Sequence, residues 1–289
     1  MFPSDVWESL HRATCLPARD VLAQLGAAQL KQALAAGLLE CPAPGWYALP
    51  RVRPTLALAK ARRAVLSHQS AAEHHGLDLI TRPGAVHLTV PRGRNQRDKD
   101  VVLHRTSDRL DLRAGVTDVL ETVLDCARTL PFAEALVVAD SALRDRRITG
   151  EELQRAADRL TGRGARMARR VARWASALSG SAMETLVRAA MIEGRVTGWV
   201  EQHLIEAGGV RHRTDFAFPA RRVVVEAEGY AFHAGVREFA NDCARYNRLV
   251  AAGWTVVRVT WRDLDDPERL CALLRTVLRR RPRPQVLTL

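Results

Sequence analysis

Between residues 213 and 228 apolar and polar side chains alternate. RTDFAF and VVVEAE flank the tetrad Pro219-Ala220-Arg221-Arg222. A period of two predicts two strands, and the tetrad predicts the turn between them. A symmetric four-residue hairpin sets Asp215 directly opposite Glu226, with Cβ atoms about 4.5–5.5 Å apart. It also puts Glu228 on the face of Glu226, with Arg213 across from it.

Elsewhere the apolar spacing is helical. Val119, Leu120, Val123, Leu124 and Ala127 stripe a helix over 117–130, a second covers 132–143, and Thr149 caps a third. Ser181 and Glu184 form the S-x-x-E opening of a helix running to 192. Val236, Phe239, Cys243, Tyr246 and Val250 stripe a helix that stops at Gly253, and a last helix covers 263–279 before a Pro- and Arg-rich tail. Further strands are predicted over 86–90, 101–105 and 254–261, and 196–203 fits a short strand or a helical turn. Ser67 and Ser70 are caps for a short helix over 71–75. Residues 4–50 read as short helices ending near Gly26 and Gly37, then a hairpin, 38–40 and 46–49, around the turn CPAPG. That is the order of a winged helix, a module that places a helix in the major groove. A small helical bundle docking on the rest of the protein is the alternative.

The chain has 289 residues, 47% hydrophobic and 26% charged, which is globular composition with room for two or three domains. It contains no apolar run of about 18 residues, so no membrane span is expected. The N-terminus lacks the pattern of a signal peptide. Five scattered cysteines without a CxxC pair predict a reduced, cytoplasmic protein with no disulfide frame. The net charge of +12 points to a polyanion partner, most simply DNA. A bias of Arg over Lys explains the kind of cation but not the excess over acids. Candidate DNA contacts are Lys31 in the first module and Arg166, Arg169 and Arg170 in the basic run 155–173, which also reads as a solvated domain boundary. His68, His74, His75, His87 and His104 lack ligand spacing and read as hydrogen-bonded or solvated.

The acids of the hairpin carry the chemistry. Like charges facing one another destabilise a sheet. A hard divalent cation held by oxygen ligands, Mg²⁺ or Mn²⁺, would offset Asp215, Glu226 and Glu228. The alternative is that Arg221 or Arg222 neutralises them on a wet face.

Two resemblances follow from longer motifs. SHQSAAEHHGL, VHLTVPRG, VVLHRT and VTDVLETVLDCARTL resemble AbiEi-type antitoxin-like proteins of bacteria over roughly residues 1–160. That likeness implies a winged helix over 1–50, an α/β domain over 51–160, and a role in autorepression or toxin neutralisation. The blocks Ser181 to Glu184, Asp215-Phe216, Glu226 to Gly229, His233, Asp242 to Arg245 and Gly253 to Arg258 resemble the very-short-patch-repair-like endonucleases of the PD-(D/E)xK superfamily. This implies a basic linker over 161–180 and a nuclease domain over 181–289, a mixed sheet flanked by helices, in an α+β chain. By the same resemblance Asp215 and Glu226 hold Mg²⁺ or Mn²⁺, Glu184 completes the acidic set, His233 assists proton transfer, and Asp242 and Arg245 brace the site or hold a phosphate. Glu228 stands where the superfamily usually has Lys, so the charge of the transition state must be met by His233, Arg245 or a second cation. The expected activity is a metal-dependent DNA endonuclease or nickase in repair or phage defence. The alternatives are an antitoxin-like DNA-binding regulator with an inactive nuclease fold, and an adaptor for a toxin or defence protein.

Overall fold

The structure is a computed structural model, and it describes residues 6, 9–10, 15–50, 52–93, 100–106, 110–229, 236–279 and 286–288, with only the backbone of 236–240 and 286–288. The chain is an α+β protein. It divides into two compact units, one of residues 1–77 and 81–126, the other of 78–80 and 127–289.

In the first unit, β1 (Cys15–Pro17) leads into α1 (Ala18–Ala35), then β2 (Glu40–Ala43) and β3 (Trp46–Ala48). α1 is two helices broken at Gly26, whose φ of +70° is open to glycine without steric cost. The strands form a sheet in the order β1-β3-β2. β2 runs through Cys41, Pro42 and Ala43, which the sequence reading assigned to the loop, so the turn shrinks to Pro44-Gly45. Val21, Leu25, Leu30, Ala33 and Leu39 form the core here.

Next come α2 (Pro54–Ala61), β4 (Val65–Leu66), α3 (His68–His75), β5 (Val86–Pro91), β6 (Val101–Thr106) and α4 (Val119–Thr129). β5 pairs antiparallel with β4 and parallel with β6. α3 starts earlier than expected. Ser67 stands at its N-cap without a side-chain cap bond, and Ser70 lies inside the helix accepting the His87 N–H at 2.9 Å. Both hydroxyls serve strand contacts, since Thr89 donates to Ser67 Oγ at 2.8 Å. His87 Nδ1 meets His104 Nε2 at 3.1 Å, and His68 stacks on His104 with centroids 3.4 Å apart. Burial, then His87, pushes His104 down to about 4.

The second unit contains α5 (Phe132–Arg144), α6 (Gly150–Arg159), α7 (Ala165–Trp174) and α8 (Ala182–Glu193), then β7 (Val200–Ala207), β8 (Val210–Phe218), β9 (Val223–Glu228), α9 (Val236–Ala251), β10 (Thr255–Thr260), α10 (Pro267–Arg279) and β11 (Val286–Thr288). Thr149 caps α6 in a full capping box with Glu152, as its spacing predicts. The stretch expected as a linker is instead the helix α7, which buries Ala165, Ala168, Val171 and Ala172. Apolar residues at a three- and four-residue spacing make it amphipathic despite its arginines.

The sheet order is β11-β10-β9-β8-β7. β8 is antiparallel to both β7 and β9, while β9, β10 and β11 are parallel. β9 is central, and Val223, Val224 and Val225 face covered layers on both sides, which explains the unbroken valine run. One layer holds Met183, Val187, Phe216, Val225 and Leu270; the other holds Ala217, Val224, Tyr246 and Leu249. Cys243, placed in the apolar stripe by spacing, is exposed, and Leu249 takes the buried place. β11 was not anticipated from the Pro- and Arg-rich tail.

Candidate active site

Asp215 enters from β8 and Glu226 from β9. The ladder pairs Phe218 with Val223, Ala217 with Val224 and Phe216 with Val225. One more step of that register sets Asp215 opposite Glu226, as the hairpin pattern predicts. The main-chain ladder opens there, and an Asp215 carboxylate oxygen accepts the Ala227 N–H at 2.8 Å. Alternation puts Glu226 on the side of Val224, beneath Tyr246 and Leu249 of α9.

Glu226 is only 3% exposed. Arg245, also on α9, donates to it at 2.7 Å and to the Arg213 carbonyl at 2.9 Å. Burial, then the charge of Asp215, pushes Glu226 up to about 8 in spite of this guanidinium. Burial, then the charge of Glu184, pushes Asp215 up to about 6, against the Ala227 N–H and Arg245. One arginine therefore faces a buried and a half-buried carboxylate, and the pair, when ionised, keeps an excess negative charge.

Glu228 belongs to a separate arrangement. Arg258 Nε donates to it at 3.0 Å and the Tyr246 hydroxyl donates to the same oxygen. Burial works against its charge, yet the hydrogen bonds from Arg258 and Tyr246 hold its carboxyl below the usual range. So Arg245 and Arg258, and not Arg221 or Arg222, meet the acids. Spacing in sequence had no means of choosing among them.

Glu184 caps α8. Its N–H donates to Ser181 Oγ at 3.2 Å, and its carboxylate accepts from Gly180 N–H at 2.8 Å, from Ser181 Oγ at 3.2 Å and from Gln202 Nε2 at 3.0 Å. Asp242 is half-buried one turn before Arg245, with no hydrogen-bond partner among the described residues. His233 lies outside the described residues. An open cleft of about 450 Å³ lined by Arg144, Ser181, Met183, Gly229 and Trp261 reaches Ser181, which bonds Glu184, and Gly229, which follows Glu228.

These residues fit a hard divalent cation: two carboxylates on adjacent strands, Glu226 buried and Asp215 half-buried, carry charge that one arginine does not cancel. Among the described residues no group of three or more His, Cys, Asp or Glu converges as a complete metal cluster. Mg²⁺ does not require one, because it commonly takes one or two carboxylates and fills its octahedron with waters and phosphate oxygens.

The raised carboxyls predict a pH profile. Both bind protons more tightly folded than unfolded, so between about pH 4 and 8 the folded state holds more protons and stability falls as pH rises. In chelator, the melting temperature should therefore drop from pH 6.5, above which the depressed His87 and His104 no longer oppose the trend, to pH 8.5, and millimolar Mg²⁺ should restore part of it at the upper end. Differential scanning fluorimetry across that range checks it; a flat or rising profile contradicts the burial of this pair.

The sequence reading missed a second polar cluster beside the sheet. Arg188 of α8, 2% exposed, pairs with the fully buried Asp140 of α5 and donates to the Trp174 carbonyl at 2.7 Å. Asp140 also accepts from Thr185 Oγ at 2.7 Å and the Ser176 N–H at 2.8 Å, and Glu201 lies 3.5 Å from Arg188 Nε. Its only sequence signal is an acid, Asp140, amid the small and apolar residues of 135–143 and a lone arginine in 182–193.

No protein-family model matches the chain. Two uncharacterized proteins of Mycobacterium tuberculosis, MT2308 of strain CDC 1551 / Oshkosh and Rv2248 of strain ATCC 25618 / H37Rv, are each 33% identical over 215 residues, 72% of this chain and 79% of theirs. The chain belongs to the family of these mycobacterial proteins. A crystal structure of the RV2827C protein from Mycobacterium tuberculosis aligns with a TM-score of 0.36 and 18% identity over 64% of this chain and 80% of that one, too slight a likeness to carry an argument.

Proposed function

We propose that the second unit is a divalent-metal-dependent DNA endonuclease or nickase acting in the cytoplasm, in DNA repair or phage defence. The observation that carries this reading is the pair Asp215 and Glu226 on adjacent strands, Glu226 buried and bonded to Arg245, Asp215 half-buried opposite it. Asp215 and Glu226 would hold Mg²⁺ or Mn²⁺. Such an ion, when bound, supplies an activated water and a clamp on the charge developing at phosphorus. Arg245 orients Glu226 until the cation arrives, and is then free to meet a phosphate oxygen. Glu184 stands at the start of α8, held by its cap bonds. By the resemblance to very-short-patch-repair-like enzymes, His233 would exchange the proton. Glu228, bonded to Arg258 and Tyr246, supports the strand end and is not assigned to the reaction.

DNA would lie along α7. Arg166, Arg169 and Arg173 are exposed opposite its buried alanines, and its sequence ARMARRVARW has no acid. Arg170 is less available: it lies 3.8 Å over the Phe132 ring and 3.3 Å from Glu193. Arg169 donates to the Leu160 carbonyl at 2.9 Å. The double variant Arg166→Ala/Arg173→Ala should weaken binding to duplexes of any sequence. Its salt dependence, log Kd against log salt, should lose about 2 units of slope if each side chain covers one phosphate. Fluorescence anisotropy at several salt concentrations reads this out, and an unchanged slope moves the DNA elsewhere.

Supercoiled plasmid incubated with Mg²⁺, Mn²⁺ or chelator tests the activity. Metal-dependent nicking or linearisation supports it. Absence of cleavage with every ion, by protein that binds DNA, favours the second reading, an antitoxin-like regulator whose nuclease fold is inactive, with a toxin or defence protein as partner. The ion pair Arg245–Glu226 favours that reading, since it half-fills the place of a cation. Lys31, exposed on α1, would then contact operator DNA.

A further inference from the structure

A cleft of the second unit opens at the end of the strand that carries Glu226. It holds about 450 Å³ and is lined by Asp78, Arg144, Ser181, Met183, Gly229 and Trp261 among others. That volume lies within the range of about 300–1,000 Å³ usual for small-molecule sites. Gly229 directly follows β9 and Trp261 directly follows β10, and these two strands are parallel. The cleft therefore lies outside the carboxyl ends of parallel strands, where open α/β sheets receive their ligands. Gly229 stands three residues beyond Glu226, about 10 Å along an extended strand.

The lining favours a flat occupant without charge. Trp261 is half-buried: it packs against the core that holds Met183, Val187 and Phe216, and its remaining surface lines the cleft. Arg144 is the cation of the lining, and it is already paired with Asp78 at 2.8 Å. A bare phosphate would have to displace that carboxylate and would be repelled by it. A nucleobase carries no charge. It stacks on an indole or a guanidinium plane, and its polar edge can bond the carboxylate acceptor and the guanidinium donors of the Asp78–Arg144 pair. Inside a duplex each base is stacked and paired, so only a base taken out of the stack can enter such a cleft.

We infer that this cleft receives an unpaired base of a DNA strand, with Trp261 as its stacking platform and the Asp78–Arg144 pair at its edge. The inference rests on the nuclease reading for the fate of that strand, whose adjoining backbone would run toward Asp215 and Glu226. The preferred substrate is then DNA with a single-stranded segment.

Oligothymidylate carrying 2-aminopurine at alternate positions tests this in chelator, so that binding is read without cleavage. Its emission should fall when the wild type binds, as the base stacks on the indole, and should not change when the same strand is annealed into a blunt duplex. Trp261→Leu keeps an apolar side chain against the core but offers no π-face. By anisotropy it should bind the single strand about 5- to 150-fold more weakly, the equivalent of one base–aromatic stack. Trp261→Phe should recover most of that affinity, and duplex binding by both variants should stay within about twofold of the wild type. If Trp261→Leu melts too low to assay, the wild-type emission and Trp261→Phe decide. Unquenched emission, full single-strand affinity in Trp261→Leu, or an equal loss on duplex overturns the assignment. So does a nucleoside monophosphate that binds more tightly than the strand, since the occupant is then a free nucleotide. Plasmid left uncut with every metal ion, together with the selective loss in Trp261→Leu, sinks the nuclease reading and leaves the cleft standing. Metal-dependent cleavage with unchanged single-strand binding by Trp261→Leu does the reverse.

Discussion

Replacing Asp215 by asparagine should reduce plasmid cleavage by about 10³-fold or more, on the scale of losing a principal electrostatic contributor at a water-excluded site, while duplex affinity stays within about twofold. Asparagine preserves the shape, and its carbonyl oxygen can still accept the Ala227 N–H now bound at 2.8 Å. What disappears is one of two anionic oxygen donors on neighbouring strands. On the proposed reading DNA affinity resides in the arginine stripe of α7, and it should survive the substitution. The same substitution should have an opposite effect on stability. Glu226 is pushed up by burial first and by the charge of Asp215 second. Without that neighbour it ionises more easily beside Arg245, so Asp215→Asn should melt higher than the wild type at pH 8 in chelator. Lost cleavage with gained stability is difficult to obtain from simple misfolding. Full cleavage by purified Asp215→Asn would remove this residue, and the site built on it, from the reaction.

Arg188→Ala should destabilise the second unit by about 3–5 kcal/mol, the cost of breaking a buried ion pair from one side. For a unit of this size that is roughly 8–16 °C in melting temperature. Arg188 meets Asp140, the Trp174 carbonyl and Glu201 together, and the fully buried Asp140 is stranded when it is gone. Asp140 is already pushed up, by burial first, even with the arginine in place. Without it the acid should titrate higher still, so the deficit should be largest at pH 8 and smaller at pH 5, where a protonated Asp140 is tolerated. Asp140→Leu/Arg188→Met should recover much of the loss, because replacing both partners by apolar groups removes the uncompensated charge. Urea denaturation at both pH values gives the comparison. A loss below about 1 kcal/mol, typical of an exposed pair, would show that the pair does not hold α5 to α8.

Several features of the fold were legible because they are local. The register of the β8–β9 hairpin follows from two alternating runs and a four-residue connection, and it brought Asp215 opposite Glu226 before any coordinates were considered. Thr149 with Glu152, and Gly253 with φ of +85°, are helix-end signals that depend on a few neighbouring residues. Local signals also misled. Gly208-Gly209, with φ of +61° and +73°, is the two-residue turn that starts β8 at Val210. The reading from periodicity alone started that strand at 213 and passed over the turn. The basic run 155–173 was weighed by charge, and the small apolar residues that fold its second half into α7 were overlooked. Ser70 looked like a cap by residue type, yet its hydroxyl serves β5.

What the sequence determined by itself is much of the order of helices and strands, with α7 and β11 the exceptions, the pairing of β8 with β9, and thereby the meeting of two acids, all set by periods and turns within about a dozen neighbouring residues. Tertiary structure alone decided which cation answers each acid: Arg245 for Glu226, Arg258 for Glu228, Arg188 for Asp140. It also decided that Gln202 is bent toward Glu184. These partners lie 18 to 48 residues apart in the chain. Many arginines could have met each acid, and only the packing of α5, α8 and α9 on the sheet selects among them.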